Sequence, residues 1–131
     1  MEKLKFSHNQ RLKSTKDIKK LFSQGEIILS ENFILKTHLL IEKSEKFEIK
    51  FGVGVSKKAG NAVWRNKFKR LVRESFRLKQ NELKLEKSLK ILIMVTPFKC
   101  NKIKHPKLTL STIDKDMYYL IKLIREKVDK L

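Results

Sequence analysis

The spacing of apolar residues along the chain predicts three helices, over residues 15–23, 62–78 and 112–129. In each stretch the apolar side chains recur three and four positions apart, which is the period of an α-helix with one buried face. The most regular pattern consists of Ile113, Met117, Leu120, Ile121, Ile124, Val128 and Leu131. We therefore expect each helix to pack one side against a core.

Residues with capping chemistry stand where these helices should begin and end. Ser14 and Ser111 each precede an aspartate by three positions, a pattern typical of helix N-termini. Asn61 is a third predicted N-cap, and Gly25 is placed to end the first helix. The helix boundaries are therefore predicted independently of the apolar pattern.

Three further stretches favour β-structure. Residues 27–41 are rich in apolar and β-branched types, with a polar break at 30–32 where the strand is either bulged or split. Residues 47–55 alternate apolar and polar positions after a polar hairpin turn at 43–46. Residues 89–96 have the pattern of a short buried strand, and a basic loop follows it.

The predicted order of elements is α-β-β-α-β-α, which is typical of an α+β fold in two layers, with helices packed on a small mixed sheet. A polar connector over residues 79–88 joins the second helix to the last strand. The 131 residues match the size of one domain. We therefore predict a single domain over residues 1–131, whose basic arm 1–13 is loosely ordered when the protein is alone.

The net charge narrows the range of partners. The chain has 32 Lys and Arg against 14 Asp and Glu, which gives +18. A small domain needs a net charge of only roughly 2–8 for solubility, and a larger excess destabilises the compact state by self-repulsion. We therefore expect a polyanionic partner, with nucleic acid ahead of an anionic membrane surface.

Other classes are disfavoured by what the sequence lacks. Cys100 is the only cysteine, so an internal disulfide and a zinc site built on several thiolates are excluded. The three histidines lie far apart, and common catalytic motifs are absent. No apolar stretch approaches the roughly 18–20 residues of a membrane span, and we expect no signal peptide. These features favour a cytosolic protein with no cofactor of its own.

The positive charge is concentrated between Lys57 and Lys79, where nine cations accompany a single acid, Glu74. At 100° per residue, the 62–78 helix has one apolar face and an opposite face of cations. The apolar face consists of Trp64, Phe68, Leu71 and Val72. Because an arginine guanidinium donates to phosphates in pairs, we interpret the opposite face as phosphate-binding.

Two other interpretations of this helix remain open. A solvated surface is one, although such surfaces normally mix positive and negative charges. Membrane binding is the other, although the apolar face is needed for the core and no second anchoring signal is visible. Phosphate contact explains the pattern better than either.

The stretch FGVGVSKKAGNAVWRNKFKRLVRESFR, residues 51–77, closely resembles the protein subunit of bacterial ribonuclease P. The family signature S-K-K-x-G-N-A-V-x-R-N-[RK]-x-[KR]-R runs from Ser56 to Arg70 almost complete. The likeness extends over residues 9–96. It departs at Lys67, where the family usually has arginine, so that the charge is kept but the bidentate fork is lost.

The resemblance implies a function in transfer-RNA maturation. In this family the RNA subunit performs the metal-dependent cleavage that removes the 5′ leader of precursor tRNA, with Mg²⁺ acting through that RNA. The protein binds the RNA subunit and the single-stranded leader, without a membrane or an obligate protein partner. The family fold is a small α+β sandwich with a left-handed β-α-β crossover, an exception to the usual hand.

The resemblance also implies particular site residues and no catalytic residue in this chain. The residues expected to face the RNA subunit are Lys57, Lys58, Arg65, Asn66, Lys67, Lys69, Arg70 and Arg73. Phe22 matches an aromatic that stacks on leader bases, while Ile18 and Lys36 stand where the family often has further aromatics.

Structural roles compete with these functional ones. Phe22 could equally be a core residue, Trp64 is better explained by packing, and Gly60 by a turn with positive φ. At the level of the whole chain, a structural RNA-binding module such as a ribosomal protein is the alternative. A stand-alone nuclease would need clustered acids or a histidine pair, and the 14 acids here are dispersed.

Overall fold

A four-stranded sheet and three helices make up the described part of the chain, residues 10–83 and 88–131 of a computed structural model. The helices are α1 (Thr15–Gln24), α2 (Ala62–Lys79) and α3 (Leu110–Asp129). The strands are β1 (Glu26–Leu29), β2 (Leu35–Lys43), β3 (Glu48–Val53) and β4 (Leu89–Pro97). Short 3₁₀ turns, Lys57–Ala59 and Gln80–Leu83, flank α2. The three predicted helices are confirmed, and the first predicted strand is split.

The strand order across the sheet is β1-β2-β4-β3. β1 pairs antiparallel with β2, and β2 antiparallel with β4, with Thr37 opposite Val95. β3 pairs parallel with β4, with Phe51 opposite Ile93. Because parallel neighbours need a long crossover, α2 makes the connection between them. The predicted mixed sheet is confirmed, whereas the hand of its crossover stays a prediction.

The hairpin predicted around 43–46 is wrong. β2 and β3 follow one another in the chain, but β4 lies between them, and the Ser44 amide donates to the Ser88 carbonyl at 3.0 Å. The physical reason is burial on both faces. Ile91 and Leu92 are adjacent in β4 and both fully buried, so this strand takes a central position that is covered from either side.

The two faces of the sheet are covered unequally. α2 and α3 pack on one face, where their apolar sides meet Leu35, Phe51 and Ile93 in the main core. α1 packs on the opposite face, where Leu21 joins Leu92 in a smaller cluster. The result is the predicted α+β sandwich, and it leaves part of the second sheet face uncovered.

A buried carboxylate shapes the loop between β1 and β2. Asp116 on α3 is fully buried and accepts hydrogen bonds from the Ser30 hydroxyl, the Asn32 side-chain amide at 2.8 Å and the Ile34 backbone amide at 2.9 Å. Between these contacts Phe33 has a φ of 58°, a left-handed conformation uncommon for a residue with a side chain. The polar break in the sequence is therefore a tightly held turn.

Two predicted N-caps are confirmed. The Ser14 hydroxyl accepts from the Asp17 amide at 3.3 Å, and the Asn61 side-chain oxygen accepts from the Trp64 amide at 2.9 Å. Gly25 ends α1 as predicted, and a Cβ there would lie 2.4 Å from the Leu21 carbonyl oxygen.

The predicted cap of the last helix is wrong by two residues. α3 begins at Leu110, and Thr109 rather than Ser111 is its N-cap, with its hydroxyl accepting from the Thr112 amide at 3.3 Å. Asp114, the expected partner of Ser111, instead contacts α2. A tertiary contact therefore replaced the local capping pattern.

Gly60 does not have the positive φ that the sequence favours. Its φ is 169°, which is extended backbone open to any residue. Space is the reason for glycine instead, because a Cβ there would lie 3.0 Å from Lys102 Cβ and 3.1 Å from the Trp64 ring. The loop after β4 thus approaches the start of α2 closely.

The predicted arm and connector are described only in part. Residues 1–9 of the arm and 84–87 of the connector lie outside the described residues. Within residues 10–13, Leu12 is buried and its amide donates to the Phe51 carbonyl at 3.0 Å. This segment therefore lies along the outer side of β3.

Candidate nucleic-acid interface

α2 separates apolar and cationic residues as its sequence predicts. Its buried side consists of Trp64, Phe68, Val72, Ser75 and Phe76, and Leu71 is half-buried beside it. Phe76 stacks on Phe51 of β3 with ring centroids 3.9 Å apart, and Trp64 stacks on Phe68 at 5.6 Å. The packing role expected for Trp64 is thereby confirmed, and the opposite side of α2 is left free for charge.

The residues expected to face RNA lie between Arg65 and Arg73 of α2 and in the 3₁₀ turn before it. We call the seven cations among them the cationic face: Lys57, Lys58, Arg65, Lys67, Lys69, Arg70 and Arg73. Lys57, Lys58, Arg70 and the amide Asn66 are exposed, and the other four cations are half-buried. In side chains of this length the apolar stem typically packs against the protein while the charged head stays in water.

The cationic face is not neutralised within the described part of the chain. None of its seven members has a carboxylate within 4 Å among residues 10–83 and 88–131. Burial, followed by the nearby charge of Arg11, lowers the pKa of Arg73. Like charges thus crowd together on this surface, which a polyanion would relieve.

Arg65 has a fixed position within the cationic face. Its Nε donates to the Gly60 carbonyl at 3.1 Å, across the turn that starts α2. This bond uses one nitrogen of the guanidinium, and the two terminal nitrogens remain available for the paired bonds that phosphates accept.

The cations in the last turn of α2 differ from the cationic face because they are paired with carboxylates. Arg77 Nη2 lies 2.5 Å from Glu74 Oε1, and the hydrogen bond from Arg77 lowers the pKa of Glu74. Lys79 Nζ lies 2.7 Å from Asp114 of α3, which also accepts from the buried Ser75 hydroxyl at 2.5 Å. Burial alone would raise the pKa of Asp114, but these two hydrogen bonds hold it below its usual value.

A second surface lies on the sheet face that carries α1. Phe22 is 50% exposed, so the core role considered for it is wrong, and its ring lies 4.5 Å from that of His38. Ile27 pairs with His38 and Leu29 with Lys36, so the four side chains share one face. Both apolar residues are exposed. The surface is therefore a strip of apolar and basic groups.

The three residues predicted to contact the leader all lie on the sheet face that carries α1, but they differ in exposure. Phe22 is exposed, whereas Lys36 and Ile18 are both half-buried, and Ile18 packs against the small cluster around Leu21 and Leu92. Their contact with the leader stays a prediction.

A cleft of about 540 Å³ connects the two surfaces. It opens where β3 and β4 end, and it brings Lys36 of the sheet face together with Lys58 of the cationic face. We call it the sheet cleft; the other residues that line it are Gly54, Val55, Ser56, Ala59, Thr96, Pro97, Phe98, Cys100 and Asn101.

Two exposed aromatics at this cleft were not predicted from the sequence. Phe98 lines the cleft, Phe33 lies beside it with ring centroids 6.5 Å apart, and both are more than 40% exposed. Lys99 Nζ lies 5.2 Å from the Phe33 ring centroid. Phe33 directly follows the polar break, and Phe98 and Lys99 follow Pro97, but only the fold shows that they meet.

Two further side chains beside these surfaces, Cys100 and His38, have a nucleophilic or titratable group. Cys100 is buried, and burial, with a smaller effect of Asp116, raises the pKa of its thiol to about 11. Burial and the Lys36 charge lower the pKa of His38. Among residues 10–83 and 88–131, no three His, Cys, Asp or Glu side chains are grouped to hold a metal ion, and no helix has the length and hydropathy to span a membrane.

The fold and its surfaces define a small α+β protein with a cationic helix and an adjacent aromatic cleft, which is a combination suited to single-stranded and structured RNA. A family model described as Ribonuclease P matches residues 6–117. The chain belongs to the ribonuclease P protein family.

Curated relatives and solved structures agree with this assignment. The chain is 36% identical over 77 residues to the ribonuclease P protein component of Bacillus pumilus, which is 59% of this chain and 62% of that relative. The match to the Dictyoglomus turgidum protein component is 37% over 93 residues, 70% of this chain and 72% of the relative. The chain thus spans about three fifths of the length of its Bacillus relatives.

Two solved structures have the same fold. The RNase P protein of Thermotoga maritima is 26% identical, with a TM-score of 0.63 over 86% of this chain and 97% of that one. A mutant of the Staphylococcus aureus protein is 27% identical, with a TM-score of 0.65 over 88% of each chain. These matches give no support to the alternative of a ribosomal protein.

Proposed function

We propose that this chain is the RNA-binding protein subunit of ribonuclease P, and that it assists the RNA-catalysed removal of the 5′ leader from precursor tRNA. The observation that carries the proposal is the cationic face, in which seven Lys and Arg side chains lack a carboxylate partner in the described residues. Membership of the family supports assigning that face to the ribonuclease P RNA.

The cationic face acts by electrostatics. Its side chains neutralise phosphates where the RNA subunit and the substrate crowd together, so that less Mg²⁺ is needed by the RNA. Phosphate contacts release counterions, and roughly 6–10 of them would weaken binding by ~10³–10⁵ between about 50 and 200 mM salt, by analogy with duplex DNA. Neither a catalytic residue nor a bound cofactor is assigned to this chain.

The sheet cleft and the exposed strip beside it are the surface we assign to the leader. Phe22 supplies one exposed ring on the strip, and Phe33 and Phe98 supply two more at the sheet cleft, which Lys36 also lines. A base stacked on an aromatic ring contributes ~1–3 kcal/mol without regard to sequence. These rings therefore compensate for the family aromatics that Ile18 and Lys36 replace.

A protein that serves this RNA subunit and this substrate acts in the cytoplasm, with no obligate protein partner.

The first experiment is cleavage of precursor tRNA at low Mg²⁺ by a bacterial ribonuclease P RNA, with and without this protein. We expect 5′ cleavage only when both are present. Cleavage by the protein alone would move the chemistry to this chain. Tight RNA binding without any restoration of cleavage would reduce the protein to a structural RNA-binding module.

The leader assignment is tested by Phe22→Ala. We expect affinity for leader-containing precursor to fall about fivefold or more, and affinity for mature tRNA to stay within about twofold, since only the precursor has bases to stack. Tyr118→Ala is the matched control, because Tyr118 is equally exposed on α3, away from the cleft. Equal losses for precursor and mature tRNA would instead indicate a role in folding.

A further inference from the structure

The lysines of the basic loop between β4 and α3 have no role in the assignment above. Residues 98–108 carry four cations and no acid. These are Lys99, Lys102, Lys104 and Lys107, and all four are exposed. None has a carboxylate within 4 Å among the residues that the structure describes. We call residues 98–108 the lysine loop.

The lysine loop is fastened to the start of α2. The Lys102 amide donates to the Ala59 carbonyl at 2.8 Å, and Trp64 Nε1 donates to the His105 carbonyl at 2.8 Å. Gly60 leaves the space that the Lys102 stem occupies. Two hydrogen bonds and this close approach thus hold the loop beside the turn that carries Lys57 and Lys58.

The loop is also ordered from within. The His105 amide donates to the Asn101 carbonyl at 2.7 Å, and the Lys104 amide donates to the Asn101 side-chain oxygen at 2.9 Å. Cys100 and Leu108 are buried at either end and anchor the loop in the main core. The backbone under the lysines is therefore fixed, and binding there has little ordering entropy to offset.

We propose that Lys102, Lys104 and Lys107 form a second contact with the phosphate backbone of the ribonuclease P RNA, continuous with the cationic face. This inference rests on the proposed function. Two sets of uncompensated cations placed side by side repel each other, and an extended polyanion that spans both relieves the repulsion. Lys99 is not part of this contact, because its ammonium lies over the Phe33 and Phe98 rings at the cleft.

Placement favours the RNA subunit over the leader as the ligand. The lysine loop touches α2 and its preceding turn, which carry the residues assigned to the RNA subunit. Lys102, Lys104 and Lys107 do not line the sheet cleft, to which the leader is assigned. The contact is to phosphates, so it adds affinity without sequence preference.

The test replaces Lys102, Lys104 and Lys107 together by glutamine and measures affinity for ribonuclease P RNA across a series of salt concentrations. We expect affinity to fall by about tenfold or more near 100 mM salt. The slope of log affinity against log salt should become shallower by about 2.7, since each of the three duplex phosphate contacts contributes about 0.9. Affinity for a short single-stranded leader oligonucleotide should change less than twofold.

The matched control removes the same charge elsewhere. Lys115, Lys122 and Lys130 are exposed in α3 or at its end, outside both assigned surfaces, and their replacement by glutamine should leave the slope unchanged. Equal effects of the two triple variants would overturn the inference, because net charge alone would then account for them. A loss confined to the leader oligonucleotide would overturn it as well.

A further comparison separates this inference from the proposed function. The double variant Arg65→Ala, Arg73→Ala tests the cationic face itself. Loss of RNA affinity in that variant but not in the loop variant would retain the proposed function and remove the lysine loop from it. Full affinity in both variants would contradict both proposals.

Discussion

The first and last parts of α2 carry the same types of cation, but the two parts differ in whether a carboxylate lies next to those cations. Arg65 and Arg73 have no carboxylate partner in the described residues, and the pKa of Arg73 is lowered by burial and by the charge of Arg11. Arg77 and Lys79, less than two turns further along, are held by Glu74 and by Asp114 of α3. A helix whose cations are spread along its whole length in the sequence is therefore divided in two in the fold.

A count of cations along α2 overstates the surface available to a polyanion. Lys79 and Asp114, with the Ser75 hydroxyl between them, join α2 to α3. The charge of Lys79 in the last turn thus holds α2 and α3 together. The cations before that turn remain available to a ligand. The position of the nearest carboxylate, which is set by α3, decides between these uses.

The strongest test of the comparison removes cations from each part of α2. Arg65→Ala with Arg73→Ala should weaken binding to ribonuclease P RNA by about a hundredfold, because a charge-assisted hydrogen bond contributes ~1.5–3 kcal/mol and 1.4 kcal/mol is tenfold. Arg77→Ala should change affinity by less than about threefold. Filter binding at fixed salt measures both. Similar losses in the two variants would erase the distinction between the two parts of the helix.

The structural role of the last turn is tested through Asp114→Asn. Loss of the negative charge that strengthens the hydrogen bonds from Lys79 and Ser75 should cost about 1 kcal/mol near neutral pH, after allowance for partial exposure, and lower Tm by about 3–6 °C. Asp129→Asn, an exposed change at the end of the same helix, should leave Tm unchanged. RNA affinity should be retained by both variants.

The pH dependence of this variant has a definite sign. The pKa of Asp114 is lower in the folded protein than in the unfolded chain, so its stabilisation is complete above the ordinary carboxyl pKa. It is lost as pH falls through the lower, folded pKa. The stability difference between wild type and Asp114→Asn should therefore shrink in strong acid, and a difference that grew there would contradict this account.

A smaller effect is expected when a cation of α2 loses its carboxylate neighbour. Glu74→Gln removes the carboxylate that pairs with Arg77 and should make α2 more positive next to the cationic face, so that RNA affinity rises about threefold at low salt. Glu126→Gln changes the net charge equally on the exposed side of α3 and is the control. If both changes raised affinity alike, the gain would come from overall charge.

The smallest effect is expected at Lys67. Lys67→Arg keeps the charge and supplies the planar fork that pairs with phosphate oxygens, which should raise RNA affinity about twofold. Lys122→Arg on α3 should have no effect. An unchanged affinity for Lys67→Arg would mean that this position contributes through charge alone.

Local sequence patterns predicted much of the fold. The pairing of segments that lie far apart in the sequence did not follow from those patterns. The helix boundaries at Ser14 and Asn61 depend on contacts within a few residues, so they were predictable. The central position of β4 depends on burial from both faces, and the start of α3 depends on where Asp114 finds its partner across the fold. Contacts of that kind leave no periodic trace in the sequence.

The candidate site divides in the same way. The cationic face lies on one helix and the turn before it, so the helical period of 100° per residue is enough to locate it. The ring pair Phe33 and Phe98, and the junction of the lysine loop with Trp64, join segments distant in sequence. The sequence gives only two indications of these contacts. One is the aromatic that follows the polar break, and the other is the run of lysines without acids.

The placement of β4 between β2 and β3 has a consequence for how the chain assembles. During synthesis, β2 and β3 emerge before α2, and neither can pair with the other in the native sheet. β2 can pair with β1 at once, but β3 gains its strand partner, and Leu35, Leu39 and Phe51 gain their covered positions, only after β4 has followed α2. Completion of the sheet is thus a late and non-local step, which slows folding and leaves the nascent chain exposed to aggregation until its final third is available.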